Sequence, residues 1–349
     1  AQEGSGVVLR PGLIATAWHV VEPADSISVR LSDGRVLPAR LIAHDPATDI
    51  ALLGVEDART PLPIARKPQL SEPVCAIGNA FGFGLSVTCG VVSALSVTIA
   101  GFNPVEDFVL TDAATNPGMS GGALVDADGQ LVGMVSAIFA SNGQTNIGVN
   151  FAVSSELLLR VIDALIANGE VSYPAPGWRL ATANRAQLAI LPAPVIRSIR
   201  AGSDAAATGL QPGDHIVRVG DRRVLTPRDA HAARAVLPEG TREADLVVER
   251  AGETFALRLP LRLPETVVEE AGVELLGDCP HPAEVCIVRQ SVFPVSSFDP
   301  IASATRIASD LLVTNRHVVG DRMDAVVRKP AGPRGARVVQ SALEGDLIL

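Results

Sequence analysis

From Val74 to Val105 the chain runs for 32 residues without a charged side chain. A bilayer-spanning helix needs ~20 predominantly apolar residues, so length alone would allow one here. The punctuation argues otherwise. The stretch holds five glycines, two asparagines and five serines or threonines, and its β-branched residues come in bursts such as Gly90-Val91-Val92. Short buried strands joined by glycine turns fit that pattern. No membrane span is expected in this chain. It opens on Ala1 without a signal peptide, as a mature or clipped form would.

The same texture extends over residues 1 to about 152. GSGVVLRPG, SISVRLSDGRVLPARLIA, PVCAIGN and LVDADGQLVGMVSA read as short strands, and the Asp-Gly turns between alternating apolar residues read as hairpins. Many short strands at even spacing predict an all-β sandwich or barrel. From Ser154 to Asn168 the period changes: Leu157, Leu158, Val161, Ile162, Leu165 and Ile166 recur at helical spacing, between an N-cap at Ser154/Ser155 and a C-cap at Gly169. Tyr173-Pro174-Ala175-Pro176-Gly177 is a linker by composition. Residues 177–263 then mix strands and helices, with a capped helix opening at Thr226-Pro227 and a closing hairpin in ADLVVERAGETFALRLPL.

Residues 265–349 form a third segment that repeats the first. Without gaps, Thr16, His19, Val20 and Val21 align with Thr314, His317, Val318 and Val319; Asp49 lies 30 residues after His19, and Asp346 lies 29 after His317. His317 and Asp346 are therefore expected to be a degenerate second copy of the first pair. Its nucleophile motif would have to follow Leu349.

Net charge is −9, from 38 acidic and 29 basic residues, and aromatics make up 3%. That excludes nucleic acid as a main partner. The four cysteines fall into local pairs, Cys75 with Cys89 and Cys279 with Cys286. Two local disulfides in an oxidising compartment and buried free thiols both remain open. Only His281 stands near a pair, so no zinc site is expected. His44, His215 and His281 read as surface or turn residues, and Asp45 and Asp214 as turn chemistry. No metal and no cofactor are implied.

The strongest chemical motif is Asn116-Pro117-Gly118-Met119-Ser120-Gly121-Gly122. Acyl transfer by serine needs an exposed hydroxyl on a tight turn, with backbone N–H groups converging where the oxyanion forms. Glycines on both sides allow that turn. The weak hydroxyl needs an imidazole base, and the imidazole needs a carboxylate to fix its tautomer. His19 in TAWHVV and Asp49 in DPATDIALL supply both. Each piece alone is common; together, in the order His, Asp, Ser within one all-β domain, they are specific.

This combination resembles the chymotrypsin-like double β-barrel and, within it, the HtrA (DegP-like) serine proteases. GSGVVL, TAWHVV, ATDIALL, AIGNAFGFG, VTCGVVSAL, TDAATNPGMSGGAL and IGVNFAVSSELL stand in that family's order, and the resemblance covers nearly all of residues 4–264. The implied fold is mainly β: a double-barrel protease domain over 1–170, an α+β PDZ domain over 177–263, and a partial second trypsin-like segment over 265–349. The resemblance implies His19 as base, Asp49 as its orienter, Ser120 as nucleophile, and the N–H groups of Gly118 and Ser120 as oxyanion hole. Met119 replaces the family's Asn and, unlike an Asp there, cannot pair with a new N-terminus, so activation should come from loop ordering. Ala17-Trp18 replaces a more polar pair, and the family's first strand has no counterpart ahead of GSG.

In this fold the residue six before the nucleophile lies at the base of the primary pocket, here Ala114. With Ile138, Val149 and Phe151 in the walling strands, a small or medium aliphatic side chain is expected and Lys or Arg is not. Asp112 reads as a structural loop residue. GSDAAATGLQPGDHIVRVGDRRV resembles the PDZ pattern, which implies a peptide-binding loop at Gly177, Trp178, Arg179 and Leu180, with His231 either lining the groove or at the surface. Expected partners are unfolded or peptide substrates and peptide C-termini, and a homo-oligomer is left open. The expected location is extracytoplasmic. Two functions compete: a serine endopeptidase of protein quality control, and a non-catalytic, chaperone-like scaffold on an incomplete protease fold.

Overall fold

The computed structural model describes residues 3–22, 24–57, 59–140, 146–173, 176–181 and 193–261, together with six strands beyond them. The chain divides into two compact units, Ala1–Ser172 and Tyr173–Leu349.

The first unit holds two β-layers. The strands β1 (Val7–Arg10), β2 (Leu13–Ala17), β3 (Ile27–Arg30), β4 (Val36–Asp45) and β5 (Ile50–Val55) form an antiparallel sheet in the order β1-β2-β5-β4-β3. A one-turn helix, α1 (Trp18–Val21), follows β2. Six further strands close into an antiparallel barrel: β6 (Pro73–Gly78), β7 (Ser86–Val97), β8 (Phe108–Thr111), β9 (Ala123–Asp126), β10 (Leu131–Ala140) and β11 (Asn146–Ser154), ordered β10-β11-β8-β7-β6-β9. The uncharged stretch thus becomes the β6–β7 hairpin and the chain beyond it. Its apolar residues alternate in and out, with Val74, Ala76 and Val92 in the barrel core. Cys75 and Cys89 face each other across that hairpin and are joined as a disulfide. Cys279, Cys286 and His281 lie outside the described residues.

Helix α2 (Ser155–Asn168) lies against β4 and β5 of the sheet and β10 and β11 of the barrel. Leu157, Leu158, Val161, Ile162 and Leu165 are buried along it, each contributing about 1.5–3 kcal/mol. Ile166, read as part of the same stripe, is exposed. Ser154 caps the helix by accepting from Leu157 N at 3.1 Å, and Gly169 ends it in the left-handed region at φ +75°.

In the second unit, β12 (Trp178–Ala181), β13 (Val195–Ile199), β14 (His215–Val219), β15 (Arg222–Arg223), β16 (Glu243–Arg250) and β17 (Glu253–Pro260) make one antiparallel sheet in the order β12-β13-β14-β16-β17, with β15 paired to β14. The short helix α3 (Asp204–Ala207) follows β13, and α4 (Pro227–Ala235) opens on a capping box between Thr226 and Asp229. Trp178, Ile196, Ile216, Leu246 and Leu259 form its core. The remaining strands, β18 (Val292–Ser296), β19 (Ala302–Arg306), β20 (Leu312–Asn315), β21 (Asp324–Lys329), β22 (Gly332–Arg337) and β23 (Leu347–Ile348), order as β22-β21-β18-β19-β20-β23.

Two histidines depart from the expected surface or turn positions. His44 is half-buried in β4 and stacks on Trp18, ring centroids 3.8 Å apart. His215 is half-buried in β14. For His44, strand pairing brings the ring to Trp18, a neighbour that the sequence does not place nearby.

Ser154 has a second role that sets a stability test. Its hydroxyl also donates to the buried carboxylate of Asp107. Replacing Ser154 by Ala should lower unfolding free energy by about 2–3 kcal/mol, from the lost cap and the lost bond to a buried charge. Ser154→Thr should recover most of that in urea titrations. A loss in Ser154→Ala below about 0.5 kcal/mol would contradict this account.

Candidate active site

The site assembles where the end of β2, the turn before β5 and the turn before β9 meet. After β2 the chain enters α1, and His19 sits in that single turn. Its Nδ1 lies 2.7 Å from Asp49 Oδ2, and its backbone N–H donates to Asp49 Oδ1 at 2.8 Å. Asp49 adopts a left-handed backbone, φ +60°, one of five non-glycine residues among those described to do so. Asp tolerates that region better than a β-branched residue, because its short polar side chain bonds locally. Its carbonyl accepts from Trp18 N at 3.0 Å, so His19 is gripped by side chain and flanking backbone alike.

A third donor reaches Asp49 from the barrel: Ser136 Oγ, on β10, at 3.3 Å from Oδ2. The Ser136 carbonyl in turn accepts from Ser120 Oγ at 3.2 Å. Ser136 therefore links Ser120 to the His19–Asp49 pair. The hydrogen bond to Asp49 raises the His19 pKa above its ordinary value of 6.5; burial opposes this, and the charges of Asp49 and Glu22 add to it.

Ser120 lies on a turn that only glycine can build. Gly118 has φ +92°, and a Cβ there would sit 2.3 Å from the Asn79 carbonyl oxygen. Gly121 has φ +85°, and a Cβ would meet Ser5 O at 2.2 Å. Between them the Met119 side chain is fully buried in the barrel core, away from the surface that Ser120 faces. Phe81 N donates to the Pro117 carbonyl at 2.7 Å. In a trans peptide the next N–H points the opposite way, so this bond turns Gly118 N–H away from Phe81. Among the described residues, no other backbone group engages the amides of Gly118 or Ser120.

Ser5 clasps this turn from the other side. Its N–H donates to Ser120 O at 2.8 Å and its hydroxyl to Gly118 O at 2.8 Å; the hydroxyl accepts from Asn79 N at 2.9 Å, and its carbonyl accepts from Thr16 Oγ1 at 2.7 Å. Ser5 stands in GSGVVL and Ser136 in LVDADGQLVGMVSA, and neither segment assigns its serine a chemical role. The glycines around Ser5 in GSG were the one available signal.

Ala114 is exposed, and its carbonyl accepts from Thr88 Oγ1. Asp112 is a loop residue whose Oδ1 accepts from Val91 N at 2.7 Å. Val149 is half-buried. Phe151 is buried in an edge-to-face cluster with Phe102 and Phe108, centroids 5.0 and 5.5 Å away. Ile138 is described by its backbone, which pairs with Asn150.

In the second unit, Gly177 has φ +83° and its carbonyl accepts from Arg200 N at 2.8 Å. Trp178 is fully buried, with the Arg234 guanidinium of α4 5.3 Å from its ring, whereas Arg179 and Leu180 are half-buried. These residues open β12, an outer strand of its sheet. His231 on α4 is half-buried beside Tyr173, and its Nδ1 lies 3.2 Å from Arg234 Nη2. His317 and Asp346 lie outside the described residues. Within those described, no group of His, Cys, Asp and Glu could hold a metal ion, and no helix is long and apolar enough to cross a membrane.

Comparison with known proteins identifies the family. A trypsin-like peptidase domain matches residues 4–134. Over its whole length the chain is 31% identical to a probable periplasmic serine endoprotease, DegP-like, of Chlamydia trachomatis, covering 73% of that protein. Over 74% of its length it is 33% identical to the periplasmic serine endoprotease DegP of Salmonella typhimurium, spanning 56% of that protein. A solved HtrA-type protease AlgW with tripeptide matches 75% of this chain and 90% of its own, at 35% identity and a TM-score of 0.59. The two endoproteases are periplasmic by name, and they place this chain outside the cytoplasm. The chain belongs to the HtrA (DegP-like) family and is a trypsin-like serine endopeptidase.

Proposed function

We propose that the peptidase reaction runs through His19, Asp49 and Ser120, and that its substrates are unfolded or exposed protein chains. The observation that carries this is the 2.7 Å bond between His19 Nδ1 and Asp49 Oδ2, linked through Ser136 to a serine on a glycine-built turn. With Nδ1 bound to the carboxylate, the imidazole keeps its basic lone pair on Nε2. Ser120 Oγ turns from the Ser136 carbonyl toward Nε2 and attacks the scissile carbonyl carbon as its proton passes to His19. The oxyanion forms against the Gly118 and Ser120 N–H groups. His19 then protonates the leaving amine, and water repeats the sequence on the acyl-enzyme.

We extend the proposal to the rest of the chain. Residues 177–263 act as a PDZ-type module that adds a peptide C-terminus to the open edge of β12, beside α4; the outer position of β12 and the Arg234–Trp178 packing support this. Residues 265–349 are a partial second trypsin-like copy. In its support, β2 pairs with β5 through Thr16↔Ala51 and Ala17↔Ile50, and β20 pairs with β23 through Thr314↔Ile348 and Asn315↔Leu347. Homo-oligomerisation belongs to the same reading. The competing reading, a non-catalytic chaperone-like scaffold, differs in one measurable respect. A fluorophosphonate probe should label Ser120, and Ser120→Ala should abolish both labelling and hydrolysis of unfolded protein. Absence of labelling in the unaltered chain would favour the scaffold.

The raised His19 pKa fixes a pH dependence. Only neutral His19 can accept the Ser120 proton, so kcat/KM should rise with pH along a limb centred above 6.5. Asp49→Asn should reduce turnover on the order of 10⁴-fold and move that limb downward. A limb centred below 6.5 in the unaltered enzyme, or near-normal turnover in Asp49→Asn, would refute these roles. For specificity, among peptides differing only before the scissile bond, Val, Ala and Ile should clearly outrun Arg. A preference for Arg would show that Ala114 is not the pocket base.

A further inference from the structure

His19 rides on a single turn of helix that has little to hold it in place by itself. The four residues of α1 close one helical bond, Glu22 N to Trp18 O at 2.9 Å, and Ala17 at the N-cap supplies no side-chain bond. A helix this short is marginal alone, so contacts outside it decide where His19 points. Three of them end on Asp49: Trp18 N donates to its carbonyl, His19 N donates to Oδ1, and His19 Nδ1 lies 2.7 Å from Oδ2. Bonds that converge on one residue fix a point and leave rotation about it.

The Trp18 ring supplies a second point. It stacks on His44 with centroids 3.8 Å apart and planes 12° from parallel, and both residues are half-buried. Trp18 follows β2, His44 stands on β4, and β5 lies between those two strands. The stack therefore spans β5, where the residue paired with His44 is Ala51, whose side chain is one methyl group and leaves room for the ring. Trp18 also packs on the sheet core that includes Val21 and Ala51. His44 is followed by Asp45, whose carbonyl and carboxylate take Thr48 N and Thr48 Oγ1, and this turn delivers Asp49. One turn thus grips α1 from both of its ends, with hydrogen bonds at Asp49 and with a ring face at His44.

We infer that the Trp18–His44 stack positions His19: it stops α1 from turning about Asp49 and so fixes the direction of His19 Nε2. Trp18 and His44 are positioning residues that act through His19. The stack needs two ring faces and no particular proton on His44. The inference rests on the reading of His19 as the base, and the test separates the two.

The experiment takes kcat and KM for a peptide substrate and the NMR resonance of the His19 Nδ1 proton bonded to Asp49. It compares the unaltered chain with Trp18→Ala, Trp18→Phe, His44→Ala and His44→Phe. The resonance is identified by its absence from His19→Ala. Trp18→Ala and His44→Ala should each lower kcat about 10- to 100-fold, the scale of a small misplacement of a catalytic group, with KM unchanged and the resonance lost. The double alanine variant should lose no more than either single one, because each already removes the whole stack. Trp18→Phe and His44→Phe keep a ring on each side and should recover most of the turnover. His44→Phe as impaired as His44→Ala would overturn the inference, tracing the effect to the imidazole nitrogens. A resonance that persists in both alanine variants would overturn it whatever the turnover, and would leave His19, Asp49 and Ser120 standing as assigned; a raised KM beside it would place the Trp18 ring against substrate. A resonance lost while kcat and KM both hold would uphold the positioning of His19 and remove His19 as the base. Should Trp18→Ala fail to fold by thermal melting, His44→Ala removes the other half of the stack, and an unchanged kcat and resonance there overturn the inference.

Discussion

Asp49 is the constraint on which the rest of the first unit depends, because it bonds to both β-layers at once. Its carboxylate takes two donors from His19, in the helical turn that follows β2 of the sheet, and one from Ser136, on the barrel. The left-handed backbone that aims it costs about 1–3 kcal/mol. Bonds to a charged acceptor are worth about 1.5–3 kcal/mol each, so the grip outweighs the strain. The turn that delivers Asp49 is also self-contained. Thr48 Oγ1 donates to Asp45 Oδ2 at 2.6 Å, and both residues are buried. The conformation of the acid is thus fixed before any substrate arrives, as electrostatic preorganisation requires.

Ser5 does for the nucleophile turn what Asp49 does for the imidazole. Two carbonyls of that turn, Gly118 O and Ser120 O, are engaged by Ser5, and a third, Pro117 O, by Phe81. With its carbonyls bound outward, the turn presents amides on the opposite side. The glycines are what make this possible: at Gly118 and Gly121 a Cβ would collide with backbone oxygens, which no rotamer change could relieve. The turn is rigid because its carbonyls are occupied, and it can form because two positions lack side chains.

How much of this was legible in the sequence follows from the range of each interaction. Helix α2, its two caps and the Asp-Gly hairpins depend on residues a few positions apart, and pattern alone located them. His19, Asp49 and Ser120 lie far apart in the chain but carry recognisable local motifs, so their association could be expected. Ser5 and Ser136 carry no such mark. Ser5, just ahead of β1, acts on Gly118, 113 positions away, and Ser136, on β10, acts on Asp49, 87 away, each as an ordinary polar residue. Only tertiary packing brings them to the site, Ser136 on a strand of the closed barrel and Ser5 on the segment that leads into the sheet. The Trp18–His44 stack is of the same kind: β4 must pair with β5, and β5 with β2, before the two rings can meet.

The His19–Asp49 pair also sets stability against activity. Folding raises the His19 pKa, so the folded chain binds that proton more tightly than the unfolded one. The resulting stabilisation is complete below the unfolded value near 6.5 and is lost as pH rises through the higher folded value. The neutral imidazole that can act as a base exists only above that folded value. The enzyme therefore gains its base over the same pH interval in which it gives up the extra stability of the charged pair. Because the His19 side chain is half exposed, solvent screens the pair and keeps this loss small. The bonds to Asp49 from His19 N and Ser136 Oγ do not depend on the imidazole's charge, so the site keeps its geometry when the proton leaves.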